Sequence, residues 1–226
     1  MNATSASLAE KSRTTANTAT ILVWDVPVRV FHWLMVLCFA GAYVTAESET
    51  WRLVHVTLGY SLAGLVVFRL VWGLLGTRHA RFTSFVRSPQ TVIRYLGTLL
   101  RRRPEHHTGH NPAGALAIVG MLVLGLAISA SGWATYNDLG GNWGEELHEV
   151  LANGMLLLVG VHIAAVFVSS WLHGENLVRA MLSGYKHGEP GQGIRSTWWP
   201  LGLLLLVAVL CFWGLQWYGA PVAGAQ

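Results

Sequence analysis

Five apolar runs punctuate the chain, from Val26 to Ala46, Leu53 to Leu75, Ala113 to Gly132, Leu147 to Leu172 and Trp198 to Trp217. Each is long enough to cross a hydrocarbon core of about 30 Å, which takes around 20 helical residues. The first run is the weakest, because Arg29 and His32 stand near its start. The fifth, "WWPLGLLLLVAVLCFWGLQW", is the most purely apolar and carries Trp at both ends, as an aromatic belt does. Between the second and third runs, "SFVRSPQTVIRYLGTLLRRR" spaces Phe85, Val92, Tyr95, Leu96 and Leu99 as one helix face and predicts a short amphipathic helix on the membrane surface. No internal repeat or second domain is visible. The pattern predicts an all-α integral membrane helical bundle.

Composition agrees. Only 12% of the 226 residues are charged and 53% are hydrophobic, whereas a soluble domain carries roughly 25% charged residues. The net charge of +4 and the pI near 9.4 do not mark a nucleic-acid footprint, since the bases cluster at the ends of apolar runs. They mark orientation instead. Thr77 to Pro112 holds seven arginines (Arg78, Arg81, Arg87, Arg94, Arg101, Arg102, Arg103) against Glu105, and Arg179, Lys186 and Arg195 follow the fourth run. The other connections are acidic, with Glu47 and Glu49 in the first and Asp138, Glu145 and Glu146 in the third. The positive-inside rule places the arginine loop and the N-terminus in the cytoplasm and the C-terminus on the periplasmic side. Residues 1–22 are polar, lack the apolar core of a cleavable signal, and read as a disordered cytoplasmic tail. Cys38 and Cys211 sit singly in apolar runs, and no CxxCH motif for covalent haem attachment occurs.

Ten histidines is a high count for such a chain. His79, His106, His107, His110 and His187 lie in polar connections and read as solvated. His32, His55, His148 and His162 fall inside spans, where an ionisable group is functional by default. His148 and His162 are fourteen residues apart, which at about 100° per residue puts them on one helix face, roughly 21 Å apart along the axis. His32 opens the first span and His55 opens the second, which runs back. Depth therefore pairs His32 with His162 at the inner side and His55 with His148 at the outer side.

Two imidazoles facing each other at each of two depths suit a flat ligand that takes axial nitrogens, and haem is the natural candidate. Two non-covalent b-type haems stacked across the bilayer would form an electron path. Zinc wants more N or S ligands per site than two, and a haem-free transporter would be expected to hold mid-membrane acids, which these spans lack. Arg69, fourteen residues after His55, shares its face at the inner depth and suits a haem propionate. Arg29, three residues before His32, reads either as a second propionate partner or as a snorkelling interfacial residue. Gly59, one turn after His55, either admits a macrocycle or serves helix packing.

The segments "WDVPVRVFHW", "RLVHVTLGY", "FRLVWGLLGTRHARF", "GHNPAGA" and "ELHEVLANGMLLLVGVHIAAVFVSSWLHGENLVRAM" together resemble the bacterial cytochrome b561 family, which includes b-type cytochrome subunits of nickel-iron hydrogenases. The resemblance covers about Val23 to Lys186 and implies a four-helix dihaem core over residues 23–186. It puts the haem ligands on His32, His55, His148 and His162. Residues 187–226 then form a linker and an added fifth, C-terminal transmembrane helix. In dehydrogenase relatives the quinone pocket resembles an Asn-and-Gly turn opening the third helix. Here His110, Asn111 and Gly114 match loosely, with no Gln after the Gly, and Asn111–Pro112 also reads as a plain helix start. His173, eleven residues after His162, is an inner-side propionate candidate.

The expected function is electron transfer across the bacterial cytoplasmic membrane, between the quinone or quinol pool and a periplasmic partner such as a c-type cytochrome. Alternative readings are the membrane subunit of a hydrogenase or dehydrogenase complex and a superoxide:quinone oxidoreductase, against which the acidic outer loops argue. No flavin, nicotinamide or iron-sulfur motif is present, so further substrate chemistry would belong to a partner.

Overall fold

The computed structural model describes residues 19–86, 88–100 and 108–219. In chain order the elements are β1 (Ala19–Leu22), α1 (Val26–Val44), a 3₁₀ turn (Glu49–Trp51), α2 (Arg52–Leu75), α3 (Phe82–Phe85), α4 (Pro89–Leu100), α5 (Pro112–Tyr136), α6 (Gly141–His173), α7 (Leu177–Ser183), β2 (Tyr185–Gly188) and α8 (Trp199–Gly219). Among the described residues, five helices are long and apolar enough to cross a membrane: α1, α2 with its leading turn, α5, α6 and α8. The protein is an all-α membrane helical bundle. The expected surface helix is α4, where Tyr95 is buried and Arg94 is exposed.

Two helices run past their apolar cores. α5 continues to Tyr136 and α6 begins at Gly141 rather than Leu147. The added turns carry Trp133, Tyr136 and Trp143, all exposed, and such amphipathic rings stabilise a helix at the headgroup level where an apolar count stops. The turn between them needs a left-handed residue, which Gly140 supplies at φ 98°.

Local chemistry sets the helix starts. The Asp25 side chain accepts from Val28 N–H at 2.8 Å, with Pro27 in the first turn; Asn111 does the same for Gly114 N–H at 2.7 Å, with Pro112 next to it. α1 packs on α2, α2 on α5 and α5 on α6, while α8 lies against α1. At mid-depth Leu34, Cys38, Leu62, Leu65, Val66, Leu122 and Val209 form one cluster. Val209 belongs to α8, and Trp213 Nε1 donates to Ser61 Oγ at 2.8 Å, so the fifth helix is part of the core and not an appendage. A Cβ on Gly202 would come within 2.5 Å of Val26, which explains how α8 can touch the first turn of α1.

One sequence expectation needs correction. Residues 1–22 read as a tail, yet Ala19–Leu22 pairs antiparallel with Tyr185–Gly188, Ala19 opposite Gly188 and Leu22 opposite Tyr185. Val23 and Trp24 N–H both reach Gly184 O, at 2.8 and 3.0 Å, and Ile194 N–H reaches Leu22 O at 2.8 Å. These long-range backbone bonds, not local propensity, order the segment. Residues 1–18, together with Arg87, Arg101 to Arg103, Glu105, His106, His107 and the last residues from Ala220 on, lie outside the described residues.

The arginine-rich end closes over Asp25, which is 1% exposed. One oxygen caps Val28, while the other receives Trp72 Nε1 at 3.1 Å and Thr77 Oγ1 at 2.6 Å. We expect Asp25→Ala, which orphans two buried donors and the part-buried Thr77 hydroxyl, to lower stability by about 3 kcal/mol or more. Asp25→Asn, which keeps one accepting oxygen, should cost less. Thermal unfolding in detergent checks both, and equal melting points for wild type and Asp25→Ala would refute the assignment.

Candidate functional site

The histidines picked out by depth occupy two levels of the bundle. At the acid-flanked end His55 on α2 and His148 on α6 face each other, ring centroids 6.2 Å apart and planes nearly perpendicular. Metal–imidazole bonds of about 2 Å on either side of one iron put the two ring centres about 6 Å apart. His55 Nδ1 lies 2.8 Å from Ala42 O; a carbonyl only accepts, so Nδ1 carries the hydrogen and Nε2 keeps its lone pair. His148 Nδ1 is 3.0 Å from Ser131 Oγ, whose own hydrogen goes to Ile128 O at 3.1 Å. By the same count His148 Nδ1 is the donor and its Nε2 is the free lone pair. This is how ligating imidazoles are oriented by what their other nitrogen holds.

Glycines fit the same picture. A Cβ on Gly132 would come within 2.8 Å of His148 Cε1, so only glycine leaves the ring its place. A Cβ on Gly59 would meet nothing within 4 Å, so this glycine does not hold two helices together. Of its two readings, helix packing is therefore the weaker. Tyr43 donates to Asn153 Oδ1 at 2.8 Å and ties α1 to α6 near this level.

At the other level His32 on α1 and His162 on α6 are electrostatic neighbours. His32 Nδ1 is buried without a hydrogen-bond partner, and the ring stands edge-on to Trp33 at 5.0 Å. Arg69 is 2% exposed. Its guanidinium lies over Phe82 at 5.0 Å and Phe85 at 5.9 Å, with Asp25 as an electrostatic partner, and its Nη1 is buried without a hydrogen bond. A buried cation with an unused donor suits an anionic group. Arg29 gives Nη1 to Ser183 O at 3.0 Å, while its Nε is buried and unpartnered. His173 Nδ1 is bonded to Ser169 O, one turn back on its own helix. Asn111 spends its oxygen on capping Gly114.

His79 and His110, read from the sequence as solvated, are not. His79 is buried and its Nε2 donates to Gln192 O at 2.8 Å. His110 stands between the rings of Trp24 at 4.5 Å and Phe85 at 4.6 Å, and its Nδ1 is buried and unpartnered. Burial, followed by Arg69, His79, Lys186 and His162, lowers its pKa to about 3. Burial also lowers that of His79, with Arg78 and Lys186 adding to it and the Gln192 bond opposing. Lys186, counted from sequence as a loop charge, is buried and pairs with Glu175 at 3.0 Å. Beside His79 and His110 opens a cavity of about 220 Å³.

Sequence reasoning missed Asp25, Ser131 and Gly132. The Asp-x-Pro start of α1 was a readable capping signal for Asp25. Ser131 and Gly132 gave none, because only the packing of α6 on α5 gives them a role.

A five-helix membrane bundle with facing intramembrane histidines defines a class of b-type electron carrier. The prokaryotic cytochrome b561 family model matches residues 23–184, and the chain belongs to that family. It is similar to the probable Ni/Fe-hydrogenase 1 B-type cytochrome subunit of Escherichia coli K12, 23% identical over 78% of this chain and 94% of that subunit. It is also similar to the probable Ni/Fe-hydrogenase B-type cytochrome subunits of Azotobacter chroococcum (28%; 74% and 88% covered) and Rhizobium leguminosarum (24%; 73% and 87%). No solved structure matches significantly. The protein is thus a multi-pass bacterial membrane cytochrome of the electron-transfer type, with haem b as its prosthetic group.

Because His79 and His110 hold protons more weakly folded than at their ordinary 6.5, their contribution to stability is full above pH 6.5. It is lost as the pH falls toward about 3. We expect the melting temperature in detergent to decline below pH 6.5, and His79→Gln to make that decline shallower. An acid limb identical in wild type and His79→Gln would show that His79 takes no part.

Proposed function

We propose that the protein moves electrons across the membrane through two b haems, one held by His55 and His148 and the other by His32 and His162. One end exchanges electrons with a quinone and the other with a redox protein. The observation that carries this reading is the His55–His148 pair, whose ring separation of 6.2 Å and tied Nδ1 atoms leave two Nε2 lone pairs for one iron. When bound, haem supplies a reversible one-electron iron centre, and two histidines on it leave no open position for oxygen chemistry. The chain's own residues hold, orient and shield. Ala42 O and Ser131 fix the outer rings, Gly132 and Gly59 give room, and Arg69 with Arg29 offers cationic donors to propionates. The absence of CxxCH makes the attachment non-covalent.

The relatives' printed names favour one form of this function: a cytochrome subunit that serves a partner oxidoreductase such as a hydrogenase. A c-type cytochrome in the same role remains the alternative partner. The arginine-rich end is assigned to the cytoplasm and the acid-flanked end to the periplasm.

Two outcomes test the proposal. The purified protein should give about two haems per chain by pyridine haemochrome, extractable by acid acetone. In redox titration His148→Ala and His55→Ala should remove one component, and His162→Ala and His32→Ala the other. Irons roughly 21 Å apart along α6 cannot share a ligand, so loss of the same component from His148→Ala and His162→Ala would refute the pairing. Separately, a reporter fused after Gln226 should behave as periplasmic; a cytoplasmic signal would reverse the orientation.

A further inference from the structure

Both imidazoles of the acid-flanked level give their Nδ1 hydrogen to an oxygen, but the two oxygens differ in kind. His55 donates to Ala42 O at 2.8 Å, a backbone atom that α1 supplies whatever side chain stands at position 42. His148 donates to a side chain, Ser131 Oγ on α5, at 3.0 Å. Ile128 O, a further acceptor beside the His148 ring, takes the Ser131 hydroxyl hydrogen at 3.1 Å. The hydroxyl thus accepts from the ring and donates to its own helix, and the second bond fixes which way its lone pairs point. The fit is close: a Cβ on Gly132, the next residue, would come within 2.8 Å of His148 Cε1, so the ring lies against the α5 backbone beside the serine.

An acceptor on the far nitrogen does more than orient a ligating imidazole. It draws the N–H proton outward, leaves the ring richer in electrons and raises its basicity as a ligand. A more basic ligand favours ferric iron, which carries one more positive charge, over the ferrous iron that one added electron makes. Hydrogen bonding around its ligands is accordingly one of the levers by which a protein sets a haem's potential.

We propose that Ser131 is a positioning residue, acting through His148, that holds the potential of the iron at the His55–His148 level below the value the same two imidazoles would give without it. The proposal rests on the dihaem reading above. The other level lies roughly 21 Å away along α6, and its His32 Nδ1 is buried without a partner. A change at position 131 should therefore move one redox component and leave the other.

The test is a redox titration of the purified, haem-loaded, full-length protein in detergent, followed in the visible haem bands. The component in question is the one that His55→Ala removes. Ser131→Ala should raise its midpoint potential by about 59 mV, a tenfold shift in the one-electron equilibrium, with the other component unmoved. Ser131→Thr keeps the oxygen and should restore the wild-type potential. Haem content and the low-spin character of the oxidised haems by EPR should be unchanged, since a role in retaining the ligand alone would lose haem without moving a potential. If His55→Ala removes no component, the dihaem reading fails and this proposal with it. If the component is present and Ser131→Ala leaves its potential where it was, Ile128 O has taken over the hydrogen, and the proposal alone is overturned. A fall in potential, a shift of both components together, or a shift that Ser131→Thr does not reverse overturns it as well. Should Ser131→Ala fail to bind haem, Ser131→Cys decides, its sulfur being a weak acceptor of similar shape: a raised potential supports the proposal and an unchanged one refutes it.

Discussion

The carboxylate of Asp25 is the point from which the arginine-rich end is built. It stands where α1 begins, and in one contact it joins that start to Trp72 near the end of α2 and to Thr77 beyond it. Burying an acid is costly unless its lone pairs are filled, so three donors and a neighbouring guanidinium are less an ornament than a condition of its being there. Once fixed, it sets the height and rotation of α1, and His32 follows seven residues, about two turns, later. Arg69, one turn before Trp72, is held beside the same carboxylate. The placement of one histidine and one buried cation therefore depends on a cap.

The two levels meet opposite demands. At the acid-flanked end the polar atoms of the site are satisfied: both imidazoles have their Nδ1 hydrogens committed, to a carbonyl and to a serine oxygen. What remains is an Nε2 lone pair on each of two rings whose centroids are 6.2 Å apart. At the arginine-rich end several donors are left over, on Arg69, Arg29, His32 and Trp33. Buried groups of that kind are rare in native proteins and call for a partner. A group that is apolar in its plane and anionic at its edge answers both demands at once, with nitrogen ligation at one site and charge at the other.

Much of this was readable before any coordinates. Lipid imposes a length on every span, so five apolar runs sufficed for the bundle, and the fixed rise and turn of a helix were enough to pair His55 with His148. Other features were unreadable for a shared reason. His79 and His110 sit in polar stretches, and what encloses them comes from Trp24, Phe85 and Gln192, far away in sequence. Ala19–Leu22 has no periodicity of its own and becomes a strand because Tyr185–Gly188 lies beside it. Gly132 reads as an ordinary small residue until α6 brings His148 against it. Sequence speaks to local period and to solvent, and it falls silent where one element completes another.

The pairing of β1 with β2 also has a consequence in time. The two strands are separated by most of the chain, so the first cannot find its partner until residue 188 has emerged from the ribosome. By then α1, α2, α5 and α6 have all been made. Helix pairs close in sequence form early, whereas contacts of such high contact order form late. Until then the arginine-rich end lacks the strand pair and the bonds from Val23 and Trp24 to Gly184 O. The strand pair is thus a late long-range tie at the end of the bundle that holds His32 and Arg69.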